Sequence, residues 1–162
     1  MVEVEIAMVR LDPDAKTPIV VLREKEGETR RLLPIWIGIF EAIAIITELE
    51  GPEAIRPMTH DLLKSVIDKL GAKVVSVLVS DLQDYTYYAE ITLRISNGDV
   101  IKIDSRPSDA MALALRAKAA IYVSEGVMDK SGINPDITKD DKEQLKTVLE
   151  DLKPEDFGKY KL

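Results

Sequence analysis

Val2, Val4, Ile6 and Met8 alternate with Glu3, Glu5 and Ala7, and this period of two predicts a strand with one wetter face at its start. "DPDAKTP" reads as a turn, "IVVLRE" as a second strand, "KEGE" as a tight loop and "TRRLLPIWI" as a third strand. Pro34 takes an amide donor out of that third strand, which places its end at a sheet edge or a bulge. From Ile37 to Leu49 the spacing becomes helical, with Ile39, Phe40, Ile43, Ile45, Ile46 and Leu49 around Ala42 and Ala44. The apolar arc is too wide for a surface helix, so this helix is expected at the centre of the fold. Gly51-Pro52 stops it.

A second helix is expected in "IRPMTHDLLKSVIDKLG", with Thr59 as N-cap, Asp61 in the first turn and Gly71 at the end. Leu62, Leu63, Val66, Ile67 and Leu70 form one stripe, and Lys64, Asp68 and Lys69 lie opposite, as on an ordinary amphipathic surface helix. His60, as its first helical residue, is expected near solvent. "AKVVSVLVSDL" and "YTYYAEITLRIS" read as strands, and Asn97-Gly98 turns the chain into a further strand, "GDVIKID". An almost wholly apolar helix follows from Pro107 to about Lys118, then a short strand "AIYV" and one helical turn in "SEGVMDKSG". Beyond Asn134-Pro135 the composition shifts to Asp, Lys and Glu. Leu145, Val148, Leu149 and Leu152 there suggest a helical appendage over Ile137 to Leu152, with a frayed tail after Pro154. The organisation expected is one domain over 1–130 and a C-terminal appendage over 131–162.

One plan occurs twice. "VLREKEGETRRLLPIWIGIFEAIAII" and "LRISNGDVIKIDSRPSDAMALAL" both run strand, Gly-containing turn, strand, apolar helix, with Glu41-Ala42 and Asp109-Ala110 in matching places. Two β-hairpin-plus-helix units of this kind, whether duplicated or convergent, imply an α+β fold with a mostly antiparallel sheet and buried central helices.

Composition narrows the setting. The 162 residues are 46% hydrophobic, enough for a normal core. The longest apolar run, Ile35 to Ile46, is cut by Gly38 and Glu41 and is too short to span a bilayer. The first ten residues, with two glutamates, do not resemble a secretion signal, so a cytoplasmic protein is expected. With no cysteine, disulfides, thiolate metal sites and cysteine nucleophiles are all excluded. A net charge of −7 opposes nucleic acid at long range, so any such role needs a local basic patch or bridging ions. Charged residues at 31% with only four Asn and Gln together hint at a thermophilic source.

The densest chemistry lies in "DSRPSD". Pro107 should be the first helical residue, which puts Arg106 at the N-cap and Ser108 and Asp109 in the first turn. Asp109 sits where a capping carboxylate belongs. Arg106 offers no acceptor there. It either pairs with Asp104, Asp109 or Glu41, or presents a bidentate donor to a phosphate. His60 is the one histidine, and with Asp61 it offers a proton acceptor beside an anionic oxygen. Asp81 and Asp84 suit the turn they bracket. Glu90 shares a polar strand face with Thr86, Tyr88, Thr92 and Arg94. If Asn97-Gly98 pairs its strand with the next, Glu90 and Asp104 meet near one sheet end and could serve Mg²⁺ or Mn²⁺. Arg23, Lys25, Arg30 and Arg31, with Tyr85, Tyr87 and Tyr88, make a modest basic and aromatic set for a nucleic-acid surface. No Walker loop, Rossmann glycine pattern, G-x-S-x-G elbow or HExxH motif is present.

"LPIWIGIFEAIAI", "RPMTHDLL", "SDLQDYTYYAEI" and "IDSRPSDAMALALR", in this order, resemble the bifunctional nuclease family over roughly Val2 to Val127. The resemblance implies a nuclease acting on RNA and DNA with little sequence preference. It also points to Glu41, His60, Asp61, Asp81, Asp84, Glu90, Asp104, Arg106, Ser108 and Asp109 as the motif residues. Chemistry then suggests roles: His60 as acid or base, Asp104 and Asp109 as catalytic carboxylates, Arg106 both as a catalytic group and, with Ser108, binding substrate, and Glu90 with Asp104 holding a metal. The competing expectation is a non-catalytic binding or regulatory module in which the Arg/Asp cluster is structural. A homodimer is expected from exposed apolar strand edges.

Overall fold

The computed structural model describes residues 1–12, 16–27, 29–51 and 55–135. The expected appendage over 137–152, and with it the second domain apart from its first five residues, lies outside them. Strands β1 (Val2–Leu11), β2 (Pro18–Glu24) and β3 (Leu32–Trp36) form an antiparallel meander followed by helix α1 (Ile39–Glu50). After α2 (Thr59–Lys69), strands β4 (Lys73–Gln83), β5 (Thr86–Arg94) and β6 (Val100–Ser105) form a second meander followed by α3 (Pro107–Ala117). The short β7 (Ala120–Val123) and α4 (Glu125–Ser131) complete the described chain.

All seven strands join one sheet in the order β3-β2-β1-β7-β4-β5-β6. Every neighbour pair is antiparallel except β4 with β7. The expected α+β architecture with a mostly antiparallel sheet is thus the observed one, and the two hairpin-plus-helix units flank a shared central strand. Pro34 lies on the edge strand β3, where its missing donor costs no ladder bond. At the β4–β5 hairpin, Asp84 and Tyr85 both adopt left-handed backbone angles, φ 44° and 62°, the signature of a type I′ turn.

The core lies between this sheet and the helices. Met111, Leu113, Leu22, Leu33, Ile35 and Ile45 are among its fully buried large side chains. Helix α3 is its axis: Ala110 to Ala114 are all buried, and the helix contacts α1, α2, β4 and β5. Helix α1 departs from expectation. Only Ala42, Ala44 and Ile45 are buried, while Ile39, Phe40, Ile43, Ile46 and Leu49 are exposed, Phe40 by 80%. The small residues are the ones that allow α1 to approach α3, and they turn the bulky ones outward. Helix α2 departs in the same way. Ile67 is buried, but Leu62, Leu63, Val66 and Leu70 are exposed.

Candidate functional site

Three helices start near one another, and each carries a carboxylate at its third residue: Glu41 in α1, Asp61 in α2 and Asp109 in α3. Local physics favours an anion in a first turn. Tertiary structure then uses the three differently. Asp61 behaves as a cap, since its Oδ2 accepts the Met58 backbone N–H at 2.7 Å. Met58, not Thr59, is therefore the N-cap of α2. Asp109 does not cap α3. Its Oδ1 meets His60 Nε2 at 3.0 Å, and its Oδ2 accepts Arg106 Nε at 2.8 Å. Arg106 reaches on to Glu41 Oε1 at 2.6 Å through Nη2. The result is a chain His60–Asp109–Arg106–Glu41 across the N-termini of all three helices.

His60 is buried, 9% exposed, against the expectation of a solvent position. The reason is its place one residue inside α2, where the ring turns toward α3 and finds Asp109. The His60 hydrogen bond, followed by Arg106, holds the Asp109 carboxyl below the usual carboxylate range despite partial desolvation. Asp61 is lowered too, first by the Met58 amide and then by Arg116. Arg106 is 55% exposed at its side chain, so it is an open ion pair and not a buried one. Its Nη1 has no acceptor among the described residues.

A groove of about 420 Å³ opens beside this chain, between α2 and the β5–β6 edge of the sheet. Leu63, Ile67, Ile91, Leu93, Ile103 and Leu113 give it aliphatic walls, and His60, Asp109 and Arg106 stand at its polar end, while Asp104, expected to be catalytic, borders it with its side chain on the other sheet face, across from Glu90. Ser108, expected to bind substrate, is 1% exposed and does not line the groove. It is the second residue of α3 and faces the core. Glu90 and Asp104 are direct cross-strand partners, as the Asn97-Gly98 hairpin requires. Glu90 is held by Lys102 at 2.7 Å and is not a groove residue.

Among the described residues, no group of three or more His, Asp or Glu side chains gathers so as to hold a metal ion. Glu41 and Asp109 are occupied by Arg106, and Glu90 by Lys102. This donor set does not fit a resident Mg²⁺ or Mn²⁺ beside His60. Asp81 lies in β4, not in the turn, and accepts from Leu82 N and Gln83 Nε2. The modest basic set is engaged in ion pairs: Arg23 and, at 3.7 Å, Arg30 share Glu5, Lys25 meets Glu3, and Arg31 meets Glu24 and Asp129. Tyr87 is buried. That surface is not a free cationic patch.

Two positions outside the expected set shape the site. Arg116, in the last turn of α3, is 4% exposed at its side chain. It pairs with Asp61 and donates to the carbonyls of Ala44 at 3.1 Å and Ala112 at 2.9 Å, locking all three helices together. Gly38, the N-cap of α1, has the Glu41 carboxylate folded against it so closely that a Cβ there would collide with Oε2. Gly38→Ala should displace the flexible Glu41 side chain and release Arg106 from it, leaving Asp109 as its partner. The expected result is little change in melting temperature with a measurable change in activity, read in parallel thermal and cleavage assays.

The bifunctional nuclease domain model matches residues 20–136. The chain belongs to the bifunctional nuclease family. It is 38% identical to an uncharacterized protein of Mycobacterium tuberculosis over 167 residues, covering 97% of this chain and 98% of that protein. It is 30% identical to Bifunctional nuclease 1 of Arabidopsis thaliana over 124 residues and 31% identical to Bifunctional nuclease 2 of Oryza sativa subsp. japonica over 121. These plant alignments cover 75% and 74% of this chain but only 38% and 37% of the plant proteins. Among the described residues, no helix is long and apolar enough to cross a membrane.

Proposed function

We propose that this protein is a cytoplasmic nuclease that hydrolyses phosphodiester bonds of RNA and DNA at the polar end of the groove. The observation that carries the reading is the His60–Asp109 hydrogen bond beside the Arg106 guanidinium. Family membership supports it. Asp109 accepts a hydrogen bond from the Nε2–H of His60, which fixes the ring tautomer and leaves Nδ1 as a proton acceptor. His60 Nδ1 takes a proton from water as the water oxygen bonds to phosphorus. The phosphorus–oxygen bond to the leaving sugar breaks, and the proton passes to that oxygen. Arg106 offers its unused Nη1 donors to the phosphate oxygens, while Glu41 and Asp109 hold the guanidinium in place. A duplex or a single strand can present a phosphate to such a site, and nothing in it reads base identity.

Labelled single-stranded RNA and DNA, incubated with purified protein with and without chelator, test this reading. Cleavage is expected from the wild type, and its persistence under chelation is expected because the described residues gather no resident ion site. Arg106→Ala should reduce cleavage by about 10²-fold or more, the scale of a lost charge-stabilising donor. Its melting temperature should fall by only about 2–4 °C, since an exposed pair contributes roughly 1 kcal/mol. The competing reading, a binding module whose Arg/Asp cluster is structural, predicts the reverse: no cleavage in any preparation and a large loss of stability on removing Arg106.

A further inference from the structure

We infer that the groove beside His60 and Arg106 holds one unpaired base next to the bound phosphate, which makes single-stranded nucleic acid the substrate class of this site. The inference rests on the nuclease reading and deepens it, from the bond that is cut to the form of strand that can enter.

The groove is shaped for something flat and apolar. Ile67, Ile91, Leu93 and Leu113 form its buried floor. Leu63 on α2 and Ile103 on β6 are its lips, on opposite sides, 40% and 43% exposed. Ile103 lies directly across the ladder from Ile91, so lip and floor continue one another on one sheet face. The volume of about 420 Å³ is in the range of small-molecule sites. No aromatic side chain lines the groove. A base is therefore held between aliphatic side chains by contact with its two faces. Every base has such faces, so the contact selects an exposed base without selecting which base.

Charge points the same way. Proteins that grip a nucleic-acid backbone do so with many cations on phosphates. This chain carries a net charge of −7. The cations of its first hairpin hold carboxylates, and Lys64 and Lys102, on the two elements that flank the groove, hold Asp68 and Glu90. Arg106 offers one phosphate contact at the polar end. Beyond that contact the groove offers apolar surface, which binds a base only where the base is exposed. In a duplex the faces are stacked and the edges paired, so a base has to be flipped out at a cost before it can enter. In a single strand the sugar carries the base from the phosphate at Arg106 over the groove. The phosphate end accepts either form of nucleic acid; the groove beside it accepts an unpaired base.

Binding and cleavage test this separately. Binding is read by fluorescence anisotropy on the His60→Gln variant, which keeps the aliphatic walls and spares the strand. A short labelled thymidine strand is compared with an abasic strand of equal length and with a duplex. The thymidine strand should bind at least about 10-fold tighter than either, the low end of what one base contact contributes. Leu63→Ser and Ile103→Ser should each weaken that binding about 10-fold and leave binding of the abasic strand unchanged. Leu49→Ser, at a similarly exposed position on α1 outside the groove, should change neither. Thermal unfolding checks that each variant is folded. With His60 restored, the two groove changes should raise KM for single strands and leave kcat nearly unchanged. A duplex or an abasic strand that binds as tightly as the thymidine strand overturns the inference. So do folded Leu63→Ser and Ile103→Ser variants that both bind like their parent. A wild type that cleaves nothing contradicts the nuclease reading alone, and the binding comparison still decides what the groove holds.

Discussion

Asp61→Ala is expected to lower the melting temperature by about 10 °C, the largest stability effect of any single change in the site. Asp61 does two jobs. It caps α2 through the Met58 amide, and it balances the Arg116 guanidinium, whose side chain is 4% exposed. Removing one partner of a buried pair costs about 3–5 kcal/mol, because the charge left behind has neither water nor a counter-ion. At about 2–4 °C per kcal/mol for a chain of this size, the shift is easily read by thermal unfolding. Asp61→Asn should fall between, since the amide oxygen can still cap but cannot neutralise. The depressed carboxyls add a pH signature. Asp61 and Asp109 both have folded values below their unfolded ones. Their contribution is therefore complete above the ordinary carboxylate pKa and is lost as pH falls through the lowered folded values. Melting temperature should hold steady near neutrality and decline below about pH 4, and Asp61→Asn should show a shallower decline.

His60→Gln is expected to reduce cleavage of RNA and DNA by about 10²–10⁴-fold, the usual contribution of a positioned acid–base group. Glutamine can still donate a hydrogen bond to Asp109, so the fold should survive, but it cannot exchange a proton with water or the leaving oxygen. Asp109→Asn should weaken cleavage for a different reason. An amide at that position can donate to His60 and stabilise the wrong tautomer. If His60→Gln cleaves as well as the wild type, the residue is a buried packing group and the active atoms lie elsewhere.

Much of this arrangement was legible in the sequence where the signal was local. The hairpin at Asn97-Gly98 sets Glu90 opposite Asp104, and Pro34 marks an edge strand. Pro107 starts α3, and the repeated strand–turn–strand–helix plan puts Glu41 and Asp109 at matching helix positions. What stayed hidden was tertiary. His60 and Asp109 are 49 residues apart, and nothing in "THDLL" says its ring will turn inward. Arg116 reads as a cation suited to a helix C-terminus, and only the packing of α1 and α2 around it makes it a buried clasp. Asp109 has the spacing of a cap, but a histidine and an arginine outside the helix compete for its oxygens and win. The apolar pattern of α1 showed that its residues avoid water without showing what covers them. In the described chain Ala42, Ala44 and a single large residue, Ile45, face the core, and the other large ones do not.

In the proposed function, His60, oriented by Asp109 and set beside Arg106, is the site of phosphodiester cleavage. The most direct measurement compares purified wild type, His60→Gln and Arg106→Ala on the same single-stranded RNA and DNA, with the fold of each checked by thermal unfolding. The predicted result is cleavage of both substrates by the wild type and a loss of at least about 10²-fold in each folded variant. Equal cleavage by all three, or none from a folded wild type, would contradict it.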